Sequence, residues 1–173
     1  NREVPPPQRS ETSRTRDGSS PRRDPRPRPR ALITGASSGL GRGYARTLAA
    51  EGYDLVLVAR NEARLSELAD QLQTTQNIRA EVAVADLSDR DGIDSVVEII
   101  ATQPIDVLIN NAGFGLRGTL LDTDIAELDE QDRVLTGAVR ELSLASAKRM
   151  QSRVRGGIVN VSSLAAVTTM GQY

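Results

Sequence analysis

The sequence predicts an α/β protein built on a doubly wound parallel sheet. Three observations carry that reading. Short apolar runs alternate four times with segments of helical period, the runs are mostly apolar on both faces, and a glycine-rich turn joins the first run to the first helical segment. A length of 173 residues suits one domain with its own core.

The strands are read at residues 31–34, 55–59, 81–85, 106–109 and 157–161. Each is short and rich in Val, Ile, Leu and Ala, as strands buried on both faces are. Four helical stripes lie between them: Leu40, Tyr44 and Leu48; Leu65, Leu68 and Leu72; Ile93, Val97 and Ile100; Leu135, Val139, Leu142 and Ala145. Spacings of three and four place each set on one face, ready to press on a sheet. Right-handed crossovers are expected to connect the strands.

Composition removes several chemistries. There is no His, Cys or Trp, and the aromatic residues are Tyr44, Tyr53, Phe114 and Tyr173. A thiolate nucleophile, a Ser/His/Asp triad, a disulfide framework and an ordinary zinc site are therefore excluded, and no metal site is expected. Proton transfer falls to Tyr, a carboxylate or the single lysine, Lys148.

Charge is divided along the chain. Residues 1–30 carry nine Arg against Glu3, Glu11, Asp17 and Asp24, net +5, and the remainder is net −6. The first segment also holds seven of the eight prolines and, apart from Val4, no aliphatic side chain. It cannot bury enough apolar surface to offset its ordering entropy, so residues 1–30 are expected to be a disordered Arg/Pro-rich tail. The run at 25–30 is expected to be extended and polyproline-like. An electrostatic arm for nucleic acid is one reading; a solvated leader is favoured, because four acids interrupt the basic residues and no aromatic is present for stacking. No signal core and no run of about 20 apolar residues is present, so a membrane span is not expected and a cytoplasmic location is. The chain begins with Asn, and too few residues follow its apolar fifth strand to build a helix over it or a sixth strand beside it, so a piece of a longer protein is expected.

The first strand runs into Thr34-Gly35-Ala36-Ser37-Ser38-Gly39-Leu40-Gly41, followed by a helix. Glycines there permit a tight turn and close approach of a pyrophosphate, while the helix N-terminus offers free N–H groups. A structural strand-to-helix turn is the alternative for this segment taken alone. Further along come Asp86-Leu87 after the third strand, Asn110-Asn111-Ala112-Gly113 after the fourth and Ser162-Ser163 after the fifth. In this order the four motifs resemble those of the short-chain dehydrogenase/reductase family, over residues 31–173.

The resemblance implies a Rossmann-like domain at 31–173, incomplete at its C-terminus, that binds a nicotinamide dinucleotide through Gly35, Ser37, Ser38, Gly39, Leu40 and Gly41. It implies that Asp86, followed by Leu87, accepts a hydrogen bond from the adenine amino group, and that the backbone of Asn111, Ala112 and Gly113 passes the adenosine ribose. Taken alone, Asp86 reads rather as a helix-capping acid and Gly113 as a turn residue; the ordered set of motifs favours the cofactor roles. At the end of the second strand Arg60 stands where an acid would bind a ribose 2′-hydroxyl, and no acid follows until Glu62. NADP(H) is therefore expected over NAD(H), with a solvated Arg60 as the alternative.

The resemblance further implies an oxidoreductase that interconverts a small-molecule carbonyl and an alcohol by hydride transfer. Ser163, with Ser162 as fallback, would hydrogen-bond the substrate oxygen and Tyr173 would transfer the proton. A phenol has a pKa near ~10, so the family adds a lysine four residues beyond the tyrosine. Here Tyr173 is the last residue, and Lys148 lies on the helix before the fifth strand. The family's relay asparagine in that helix aligns with Ala138, or with Gly137 after a slip of one. These departures predict no ketone reduction by these 173 residues, and keep open a non-catalytic dinucleotide-binding module or pseudoenzyme. A homodimer through the long helix is usual among members of such a family.

Overall fold

The computed structural model describes residues 27–116 and 120–163. Five parallel strands, β1 (Arg30–Thr34), β2 (Asp54–Ala59), β3 (Ala80–Val84), β4 (Val107–Asn110) and β5 (Gly157–Asn160), lie in the order β3-β2-β1-β4-β5. Between them run α1 (Gly39–Ala50), α2 (Glu62–Gln76), α3 (Arg90–Thr102), α4 (Ile125–Asp132) and α5 (Val139–Ser152). The chain winds from β1 out to β3, then crosses to the other side of β1 for β4 and β5. This is the doubly wound sheet that the sequence predicts, with every strand end within one residue of its expected place.

Alternation along β1 explains the two cores. Leu32 points into a cluster with Val56, Val58, Ile93, Ile100, Leu108 and Leu142, beneath α3 and α5. Its neighbours Ala31 and Ile33 point the other way, into Leu55, Leu57, Leu65, Leu68 and Ile109 beneath α1 and α2. Burying each such Leu or Ile is worth about 1.5–3 kcal/mol, so the central strands hold the sheet. The edges differ from expectation. On β3 and β5 no residue is fully buried, and Val84 and Val159 are exposed, because each strand has a neighbour on one side only among the described residues.

Two helical stripes are shifted. The buried face of α1 is Gly41, Ala45 and Ala49, whereas Leu40 is 66% exposed and Tyr44 and Leu48 sit half-buried on its flank. At Gly41 the helix lies so close to the turn after β1 that no side chain fits, and Ala45 and Ala49 pack in the core beneath it. On the long helical run the predicted Leu135, Val139, Leu142 and Ala145 give way to Val134, Ala138, Leu142, Ser146 and Met150. The backbone at Arg133–Ala138 forms π-helical turns, which take more residues per turn than the α-helix assumed by the sequence pattern. The α2 stripe stands as predicted, with Ala69 added, and in α3 Val96 replaces Val97 as the buried valine.

Residues 1–26 of the expected tail lie outside the described residues. Its last residues belong to the fold: Arg30 opens β1, its N–H donates to Asp106 Oδ2 at 2.9 Å, and its guanidinium reaches Gln103 Oε1 at 2.6 Å. Arg28 donates to the carbonyl of Asn77. The order therefore begins before residue 31, because these arginines find acceptors that a sequence count does not reveal.

Among the described residues, one buried hydroxyl lacks a partner: Ser146 on α5 is 1% exposed and its Oγ makes no hydrogen bond to any of them. Ser146→Ala removes an unsatisfied polar atom without opening a cavity larger than an oxygen, and is expected to stabilise the fold by about 1 kcal/mol. Urea unfolding measures this, and a loss of stability would show that the hydroxyl is bonded in solution.

Candidate functional site

The winding reverses between β1 and β4, and a cleft of about 1340 Å³ opens at the carboxyl ends of the strands. Ligands of open α/β sheets bind at this position. Gly35, Ser37, Ser38, Gly39, Leu40, Arg60, Asp86, Leu87, Asn111, Ala112, Gly113, Ser162 and Ser163 all line the cleft. Residues spread over the sequence are thus brought to one wall-to-wall site. Gly41 does not line it but is buried beneath it. Tyr173 lies outside the described residues.

The turn after β1 is held by its glycines. Gly35 and Gly39 have φ of +67° and +51°, a region that disfavours side chains. Gly39 faces open space, with no atom within 4 Å of where a Cβ would sit. A Cβ on Gly41 would lie 2.2 Å from the Gly35 carbonyl oxygen and 2.6 Å from Asn111 Nδ2. The N-cap of α1, Ser38, makes no side-chain capping bond, whereas Asn61, Asp89 and Asp124 cap α2, α3 and α4. The first N–H groups of α1 therefore have no capping side chain among the described residues, at the edge of the cleft where an anionic group would complete them.

The ends of β1 and β4 are clasped together. Thr34 Oγ1 accepts from the N–H groups of Asn111 at 2.9 Å and Ala112 at 3.0 Å, and donates to the Ile109 carbonyl at 3.4 Å. Asn111 Nδ2 donates back to the Thr34 carbonyl at 3.0 Å. Beside it, Asn110 Nδ2 donates to Ser143 Oγ at 3.0 Å and Asn160 Oδ1 at 2.9 Å, joining β4 to α5 and β5. These bonds fix the backbone of 111–113 against the glycine turn.

At the ends of β2 and β3, Arg60 NH1 stands 3.6 Å from Asp86 Oδ2, with the arginine side chain 71% exposed. Asp86 Oδ1 accepts from Ser88 N at 2.9 Å and Ser88 Oγ at 2.7 Å. Partial burial pushes the Asp86 carboxyl up, but the two Ser88 bonds and the Arg60 charge outweigh this and hold its pKa below the ordinary aspartate value. Capping of α3 belongs to Asp89, which accepts from Gly92 N at 2.6 Å. Asp86 thus keeps one oxygen directed at Arg60 on the cleft wall.

Among the described residues, proton-transfer groups are scarce at the cleft. Lys148 is exposed on α5 and does not line it. On the long helical run Val134 and Leu135 border the cleft, while Ala138 is buried in the core below and Gly137 lies outside the cleft wall; none of the four carries an amide. Four contributors were not singled out from sequence: Thr34 as the clasp, Asn61 as the α2 cap, and Arg64 and Gln131 on the wall. Arg64 had a legible signal, since it falls four residues after Arg60, in the first turn of α2. Gln131 had none; its amide donates to the Phe114 carbonyl at 3.0 Å, a contact made only by folding.

A cleft at the switch point of a parallel sheet, opening on a glycine turn and an uncapped helix N-terminus, defines a Rossmann-type nucleotide-binding fold. A family model described as short chain dehydrogenase matches residues 29–173. The uncharacterized oxidoreductase YmfI of Bacillus subtilis (strain 168) is 38% identical over 135 residues, which cover 78% of this chain and 55% of YmfI. The bulky-bulky ketone specific alcohol dehydrogenase from Comamonas testosteroni superposes with a TM-score of 0.80 at 35% identity, over 82% of this chain and 57% of that one. A short-chain dehydrogenase from Sphingobium yanoikuyae, solved in complex with NADPH, gives 0.80 and 35% over 82% and 56%. The chain belongs to the short-chain dehydrogenase/reductase family, and it spans a little over half the length of these relatives. No helix among the described residues is long and apolar enough to cross a membrane.

Proposed function

We propose that the protein binds NADP(H) as the cofactor domain, residues 31–173, of an oxidoreductase that interconverts a small-molecule carbonyl and its alcohol. The carrying observation is the end of β2, where Arg60 occupies the cleft wall and the sole carboxylate lining the cleft among the described residues, Asp86, is engaged with it. A 2′-phosphate would meet a guanidinium and no unpaired acid. The uncapped first turn of α1 would take the pyrophosphate, with Gly39 leaving room for it. Asp86 would accept from the adenine amino group, and the clasped backbone of Asn111 to Gly113 would pass the ribose. When bound, the cofactor supplies the hydride. Ser163 would hydrogen-bond the substrate oxygen, with Ser162 as the alternative, and Tyr173 would hand over the proton. A homodimer formed through the long helical run is part of this reading.

Calorimetric titration with both reduced cofactors tests it. NADPH is expected to bind at least about tenfold more tightly than NADH, the worth of one charge-assisted hydrogen bond. Equal or tighter NADH binding would sink the NADP(H) assignment.

A second reading, a dinucleotide-binding module without turnover, draws on Lys148 lying off the cleft and on Ala138, or Gly137 after a slip of one, standing where the family has its relay asparagine. A ketone-dependent loss of NADPH absorbance decides between them. Turnover by this chain would rule out the module, and binding without turnover would favour it.

A further inference from the structure

The turn that leads from Asp86 into α3 is braced from outside the cleft. Ser88 donates to Asp86 Oδ1 through its N–H at 2.9 Å and its hydroxyl at 2.7 Å, so the direction of that carboxylate depends on where Ser88 sits. Ser88 is reached in turn from the long helical run, where Arg133 NH1 donates to its carbonyl at 2.7 Å across 45 residues of chain. A second arginine crosses the same gap in the other direction, Arg90 NH1 of α3 standing 2.7 Å from Glu141 Oε2 on α5.

The partner that Arg133 takes is not the one charge alone would choose. Arg133 lines a polar groove of about 450 Å³ together with Asp129 and Asp132, yet among the described residues it forms no ion pair with either, and its guanidinium is placed on a neutral loop carbonyl. A charged donor grips such a carbonyl more strongly than a neutral one would. That groove shares no lining residue with the cleft, so an effect of Arg133 on a bound nucleotide must pass through Ser88 and Asp86. The same short stretch of helix also sends Gln131, Val134 and Leu135 to the cleft wall.

We propose that Arg133 is a positioning residue of the nucleotide site, which holds the Ser88 turn so that the Asp86 carboxylate meets the adenine amino group. The proposal rests on the dinucleotide reading above and adds to it the side chain that fixes the adenine contact from a surface outside the cleft.

The test uses the full chain and two probes, 5′-AMP and purine riboside 5′-monophosphate, which lacks the amino group. Both are titrated calorimetrically against the unsubstituted protein, Arg133→Met, Arg133→Lys and Arg140→Met, with thermal melts confirming folding. The unsubstituted protein is expected to bind 5′-AMP at least about tenfold more tightly than the amino-free probe. Arg133→Met keeps the aliphatic stem and removes the donor, and is expected to weaken 5′-AMP by about three- to tenfold while leaving the amino-free probe within about twofold. Arg133→Lys should recover part of the preference. Arg140→Met alters an arginine of the same groove whose partner is Glu141, at 3.8 Å, and should leave both probes within about twofold. An unchanged preference in Arg133→Met, or equal losses for both probes, overturns the proposal while leaving nucleotide binding intact. Absence of any preference in the unsubstituted protein overturns it together with the adenine role of Asp86, and failure to bind either probe overturns the dinucleotide reading as well.

Discussion

Gly41→Ala is expected to abolish nucleotide binding and to destabilise the fold by about 3 kcal/mol, the upper end of the cost of overpacking. The new Cβ would meet the Gly35 carbonyl oxygen at 2.2 Å and Asn111 Nδ2 at 2.6 Å, and the first of these is backbone. Rotating a side chain cannot relieve that contact. The helix must move off the turn, which would pull Asn111 from the Thr34 carbonyl and loosen the clasp at the cleft floor. Gly43, two residues along the same helix, has no atom within 4 Å of a built Cβ and an ordinary helical φ. Gly43→Ala should stabilise by about 0.5–1 kcal/mol through helix propensity. Parallel urea unfolding and nucleotide titration of the two variants check the pair, and equal stability of both would refute the close-approach account.

The second large effect lies at the opposite end of the sheet. Asp106 precedes β4 with its side chain 11% exposed; it accepts from Arg30 N at 2.9 Å and Arg153 NH1 at 3.1 Å, and forms an ion pair with Arg155 Nε at 3.2 Å. Arg153 also donates to the Ile105 carbonyl. One carboxylate therefore joins the start of β1 to the segment between α5 and β5. Asp106→Ala leaves two guanidinium groups and a β1 amide without their shared acceptor, and should cost about 3 kcal/mol. Asp106→Asn keeps one acceptor oxygen and should cost less. Nucleotide affinity measured well below the melting temperature should change little, since the cleft is at the other ends of the strands. A loss of affinity without a loss of stability would contradict this division of labour.

Legibility from sequence followed the range of the interaction. The strands could be placed because burial on both faces demands unbroken apolar runs, a local property of residues such as 55–59. The cleft residues could be chosen because a glycine turn and short motifs recur in fixed order along the chain, and those among the described residues line one cleft, Gly41 excepted. The stripe of α1 misled because period alone favours Leu40, Tyr44 and Leu48, while the close approach of the turn at Gly41 sets the buried face on Gly41, Ala45 and Ala49. The stripe before α5 misled because π-helical turns leave no mark in a spacing rule. Arg28 and Arg30 were counted with the tail because their acceptors, Asn77 and Asp106, are far along the chain.

Fold class, strand positions and family were therefore decided by the sequence, through apolar periodicity and ordered motifs that need no long-range information. The edge exposure of β3 and β5, the clasp of Thr34 on Asn111 and Ala112, and the pairing of Arg60 with Asp86 were decided by folding. Each depends on the distance between residues that the chain separates and the sheet brings together. The same distances leave Arg64 as the cation on the cleft wall without a partner among the described residues.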